Sequence, residues 1–137
     1  MIIAMKAEVG DRLPSISKEV TFDLMRLFSG WPAVRSIHTD EEIAKAKGLS
    51  GTIAEANMTY AYICEMLVCF FGENWFQGGK LATSFTKIVH PGDRVTANGV
   101  VVRKEPFDSG IRLALDVWCE NQLGEKVAVG TASAVVR

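Results

Sequence analysis

Only two histidines stand in the chain, and histidine is the side chain that most readily moves protons at neutral pH. His38 closes the tight segment Trp31-Pro32-Ala33-Val34-Arg35-Ser36-Ile37-His38. An unperturbed imidazole titrates at about 6.5, which suits general acid or base work. The competing reading is a structural hydrogen bond just before the helix that follows. His90 lies against Pro91-Gly92 in a turn and reads as structural. Of the acids, Glu55 completes the pattern Thr52-Ile53-Ala54-Glu55, a capping box in which the glutamate reaches back to the cap's own N–H. Asp40 and Glu41 read as solvated acids in the first turn of a helix, complementing its dipole. Cys64, Cys69 and Cys119 are odd in number and lack close metal-ligand spacing with either histidine. Neither a disulfide framework nor a metal site is expected, and the three read as free thiols in a reducing compartment. Nothing beside Cys64 in sequence would activate a thiolate. There is no dinucleotide fingerprint, P-loop, Gly-x-Ser-x-Gly elbow or metal-binding helix motif, so no redox cofactor is implied.

The elements that must position these groups follow from turn and capping chemistry. Gly10-Asp11 and Pro14 punctuate short extended pieces in the first twenty residues. Thr21 caps a short helix, Phe22 to Phe28, closed by Gly30. Thr39-Asp40-Glu41-Glu42 opens another with Thr39 at the cap, and Gly48 ends it. From Thr52 to about Phe71 runs a longer helix whose Ile53, Met58, Tyr60, Ile63, Leu67, Phe70 and Phe71 leave little polar surface. A helix apolar nearly all round must be enclosed on several sides. Beyond it the pattern turns to strands, at Leu81 to Val89, Arg94 to Arg103, Ile111 to Glu120 and Glu125 to Val136. Pro106 to Gly110 joins the second and third, and Asn121 to Gly124 makes a hairpin. Trp75, Phe76, Gly78 and Gly79 read as the turn after the long helix. Ala128, Gly130, Ala132 and Ala134 form a small-residue column that lets a sheet close tightly on a helix. The fold class predicted is α+β, one buried helix with antiparallel strands curling around it.

With 137 residues there is room for one domain, 1–137, and apolar residues at 48% supply its core. Fifteen basic and sixteen acidic residues, interspersed, give a net charge of -1. That balance carries no footprint for nucleic acid or an anionic membrane. Met1 to Met5 before Lys6 falls short of a signal peptide's apolar region of about 7–15 residues. Tyr60 to Phe71, interrupted by Glu65, is too short to span a bilayer. The location expected is cytoplasmic.

The order of elements, with Pro91-Gly92-Asp93 after a strand, resembles the MaoC-like hydratases, a hot-dog-fold family. The likeness runs from roughly Ile16 to the C-terminus and is clearest in Ile37-His38-Thr39-Asp40-Glu41, Ile53-Ala54 and His90-Pro91-Gly92-Asp93-Arg94-Val95. It implies a curved sheet wrapped on a central helix, with the sheets of two subunits joined. It also implies addition or removal of water at an enoyl thioester, with coenzyme A present only as part of the substrate. In that family an Asp and a His, within Asp-x-Asn-Pro-Leu-His, serve as base and acid. A backbone N–H within Ala-His-Gly at the start of the central helix polarises the carbonyl, where the helix end favours developing negative charge.

Here His38 matches the family histidine, but Ala33 stands where its aspartate is expected, Arg35 in place of Asn and Ser36 in place of Pro. In the second motif Ala54 is kept, Glu55 replaces His and Ala56 replaces Gly. The resemblance therefore implies His38 and Glu55 as catalytic residues, with Glu55 a replacement carboxylate or only the helix cap. The Ala56 N–H would bind the carbonyl. Cys64 would line the pocket, and Trp31 and Arg35 occupy the loop that would cover it or meet the acyl group's polar end, a plain surface role being the equal alternative. The partners implied are an acyl thioester and a second copy in a homodimer or larger homo-oligomer, with no nucleic acid and no membrane. Other thioester chemistry (isomerisation, carbon–carbon cleavage, hydrolysis) and a non-catalytic acyl-binding subunit remain open, since the family aspartate is missing.

Overall fold

Alternation sets the sheet. In Gly110–Glu120 the residues Leu113, Leu115, Val117 and Cys119 are buried while Asp116 between them faces solvent, the period of two that gives a strand one apolar face. The computed structural model describes residues 3–137. Its strands are β1 (Ile16–Glu19), β2 (Lys80–Phe85), β3 (Arg94–Phe107), β4 (Gly110–Glu120) and β5 (Lys126–Val136), and its helices α1 (Phe22–Phe28), α2 (Glu41–Ala46), α3 (Ala56–Phe71) and α4 (Glu73–Phe76). The strands form one antiparallel sheet in the order β1-β3-β4-β5-β2. No helix among the described residues is long and apolar enough to cross a membrane.

Several boundaries differ from the sequence reading, each for a local reason. β3 runs through Pro106 to Phe107, so the joining segment shrinks to Asp108-Ser109. β1 covers only Arg94 to Ala97 of β3, leaving the outer edge beside Pro106 free of any ladder that would need its missing N–H. β2 stops at Phe85 instead of Val89. The N–H groups of Thr86 and Lys87 both turn to the Val127 carbonyl and the Thr86 hydroxyl to the Lys126 carbonyl, which curls the chain off the sheet. Asp40, not Thr39, caps α2. Its Oδ1 accepts from Ile43 N–H at 3.0 Å, while the Thr39 hydroxyl is occupied with Val34 and Ser36. The turn expected after the long helix holds the short helix α4.

The long helix begins four residues after its expected cap. Ile53 and Ala54 lie outside the helix, their N–H groups donating to carbonyls of other loops, and Glu55 is the N-cap residue with φ -64° and ψ 136° and no capping hydrogen bond from its side chain. The Thr52 capping box is therefore not formed. α3 buries Met58, Ile63, Met66, Leu67, Phe70 and Phe71 in the core with the inner faces of β3, β4 and β5. Enclosure is incomplete: Asn57, Glu65 and Cys69 are exposed, and Ala61, Cys64 and Val68 only half-buried. Ala128, Ala132 and Ala134 do lie buried. Gly130 serves the sheet itself, because a Cβ there would overlap the Ala82 carbonyl on β2.

Candidate active site

The residues just before α3 organise the site. Ile53 N–H donates to the Ile37 carbonyl at 3.2 Å, and Ala54 N–H to the Val89 carbonyl at 2.8 Å. The loop that carries His38 is thereby fastened to the loop between β2 and β3, with the tip of α3 between them.

The Nδ1 of His38 lies 2.8 Å from the Ile53 carbonyl oxygen. A carbonyl only accepts, so Nδ1 carries the hydrogen, and the neutral ring keeps its lone pair on Nε2. The imidazole is held in one orientation with its basic nitrogen free of protein partners among the described residues. Glu55 is half-buried, and its carboxylate accepts a hydrogen bond from the Ser29 hydroxyl at 2.6 Å. Ser29 is the residue that ends α1. The carboxylate is thus fixed from across the fold and does not cap its own helix. At the tip of α3, Met58 N–H is taken by the Glu55 carbonyl at 3.0 Å, while the Ala56 N–H has no acceptor among the described residues. A free donor there lies in the positive end of a sixteen-residue helix.

His38, Glu55 and Ala56 border one cavity of about 810 Å³. Its far wall comes from the end of β2 and the β2–β3 loop, with Phe85, Ile88 and Val89, and from the β4–β5 hairpin and the start of β5, with Leu123 and Val127. These apolar side chains suit an aliphatic group, and His38, Glu55 and the Ala56 N–H add polar groups to the same lining. The rim is braced by polar contacts. Asp93 accepts from His90 N–H at 2.9 Å and from the Gln122 amide at 2.8 Å, Lys87 pairs with Glu125, and Asn121 Oδ1 accepts from the N–H groups of Leu123 and Glu125. His90, expected in a turn, lies there with its N–H held by Asp93.

The other three residues picked from sequence lie outside this lining. Arg35 Nε donates to Asp40 at 2.7 Å, so the guanidinium is turned toward α2. That pairing raises the Arg35 pKa, and the Ile43 N–H together with Arg35 holds the Asp40 carboxyl below its usual value. Trp31 is 85% exposed. Cys64 sits about 12 Å along the helix axis from Ala56, half-buried, with burial pushing its thiol pKa up. Among the described residues no three histidine, cysteine or carboxylate side chains gather closely enough to hold a metal ion. Ser29 and the two far-wall loops escaped the sequence reading. A serine after a short helix carries no signal, and Phe85 to Val89 read there as strand.

A model of the MaoC-like domain matches residues 9–121. The chain belongs to this family. No curated protein matches the sequence. Among solved structures, this MaoC-like chain is similar to the unliganded R-hydratase PhaJ1 from Pseudomonas aeruginosa, with TM-score 0.80 and 21% identity over 96% of this chain and 83% of the other. It is similar to the MaoC-like dehydratase from Rhodospirillum rubrum, with TM-score 0.79 and 27% identity over 99% and 97%. It also resembles a chain of the ChsH1-ChsH2 complex from Mycobacterium tuberculosis, with TM-score 0.76 and 16% identity over 95% and 98%. The architecture is accordingly the hot-dog fold expected from the sequence.

Proposed function

We propose that this MaoC-like protein is a hydro-lyase that adds water to, or removes it from, an enoyl thioester of coenzyme A, acting as a homodimer. The observation that carries the reading is one cavity with an apolar lining that also borders His38, whose Nε2 has no protein partner among the described residues, Glu55 and Ala56 with its free N–H. In hydration, His38 Nε2 takes a proton from water as the water oxygen bonds to the β-carbon. The π electrons shift through the α-carbon to the thioester oxygen, where the Ala56 N–H and the end of α3 stabilise the charge. The proton then passes to the α-carbon, so atoms balance without a second acid. Glu55, anchored by Ser29, holds the attacking water and favours the transient imidazolium. It stands in for the family aspartate, whose position is Ala33.

Turnover of a panel of trans-2-enoyl coenzyme A thioesters tests this. His38→Ala should lower kcat by about 10²-fold or more and Glu55→Gln by about tenfold, with unchanged near-ultraviolet circular dichroism. Full activity in both variants disposes of the proposal. Product analysis on the same panel separates hydration from isomerisation, carbon–carbon cleavage or thioester hydrolysis in the same cavity.

A second reading is favoured by Ala33 together with the exposure of Leu27, Trp31 and Val34, at 64, 85 and 68%. Those side chains would pack on a catalytic hot-dog partner while this chain binds acyl groups only. Robust turnover by the isolated chain rejects it.

A further inference from the structure

Two polar side chains are buried among the described residues, Thr52 and Thr59, each 3% exposed. Thr52 stands before α3 and outside the cavity lining, whereas Thr59 lies in the first turn of α3 and borders the His38 cavity. A helical threonine can turn its hydroxyl back onto a carbonyl three or four residues earlier. Thr59 does not, and its hydroxyl has no hydrogen-bond partner among the described residues. No side-chain oxygen or nitrogen there is both sealed and unbonded, so the Thr59 hydroxyl opens on the cavity that its side chain borders. Buried Val89 and Val127 share that lining. An alkyl group filling the space would strip the hydroxyl of its water and give nothing back. Valine has the same shape and would line an alkyl site without that cost.

The Ala56 N–H points out of the end of α3, so an oxygen that it holds lies about 2.9 Å beyond the tip. Three residues on, Thr59 sits about 4.5 Å deeper along the axis, near the same face. No single oxygen meets both donors. His38 and Glu55 act at the β-carbon, which leaves the acyl chain past it for Thr59. One helical turn, about 5.4 Å, spans about four carbon–carbon bonds, and this puts the partner atom on the fourth or fifth acyl carbon.

We propose that Thr59 selects an acyl group bearing an oxygen, as a hydroxyl or a ketone, at carbon 4 or 5, through a hydrogen bond with its own hydroxyl. That substrate class rests on the thioester reading above.

Calorimetric titration of the full chain with saturated coenzyme A thioesters, which cannot be hydrated, is the test. The parent should bind 4-oxopentanoyl or 5-oxohexanoyl coenzyme A at least about tenfold more tightly than the pentanoyl or hexanoyl thioester of the same length. Thr59→Val should erase the preference and Thr59→Ser should keep it. Should Thr59→Val not fold, Thr59→Ala reads the same ratio. A ratio near one in the parent, a preference that survives in Thr59→Val, or failure to bind any of the four thioesters overturns the proposal. Selective binding of an oxo thioester by a chain that turns over no enoyl thioester refutes the hydro-lyase reading alone. Hydration of enoyl thioesters with no such preference overturns the Thr59 assignment alone.

Discussion

Ser29 fixes where the one carboxylate at the helix tip sits, through a 2.6 Å bond from the end of α1. Ser29→Ala should lower kcat for thioester hydration several-fold to about tenfold with little change in KM, and Ser29→Thr should restore it; an effect on KM alone would argue against positioning. The cysteines give a separate test. Cys69 is exposed and Cys119 buried, with its thiol pushed from 9.0 up to about 12 by burial. Iodoacetamide with mass spectrometry should modify Cys69 in the native protein and Cys119 only after unfolding. Because the folded pKa is raised, the unfolded chain releases this proton first. Its contribution to stability is whole below about pH 9 and is lost as pH climbs toward about 12. The stability gap between the parent and Cys119→Ala, read by urea unfolding, should therefore narrow over that window, and a constant gap would contradict it. At this scale the motif singled out His38, and the structure puts it in the lining of the cavity. Whether the Glu55 side chain caps its own helix was not legible, because the Ser29 hydroxyl that it accepts from is twenty-six positions away.

Elements were legible wherever their own residues govern them. Thr21 accepts from Leu24 N–H at 3.1 Å and Gly30 takes φ +112°, as the caps of α1 require. Thr21→Ala should cost roughly 1 kcal/mol in chemical denaturation. Leu67, fully buried on α3, should cost about 2–5 kcal/mol as Leu67→Ala, with the transition still cooperative. A loss under 1 kcal/mol would mean that the helix is not core. Boundaries went astray where a distant group competes for backbone donors. The Ile37 and Val89 carbonyls take the N–H groups of Ile53 and Ala54, so α3 starts late, and Val127 ends β2 early. Such competition leaves no mark in local spacing.

For the whole molecule, the outer edge of β2 matters most, because it ends the sheet with no neighbour among the described residues. Unpaired edges invite a second chain. Light scattering should give a particle of two chains, and a proline at Thr83, whose N–H by alternation faces away from β5, should shift it toward one; a parent that is already monomeric removes the dimer from the proposal. An antiparallel sheet set against one long core helix followed from the order of elements, whereas the strand order did not. The cavity did not, since its walls come from segments far apart in the chain. The amides of Ile53 and Ala54, meanwhile, work as a two-point stitch across the fold. If so, their deuterium uptake should be among the slowest outside the sheet, and α1 should be able to fray in its outer turns without loosening the imidazole. Lengthening the Gly48–Gly51 turn would cut the stitch and scatter the site while the core stayed whole.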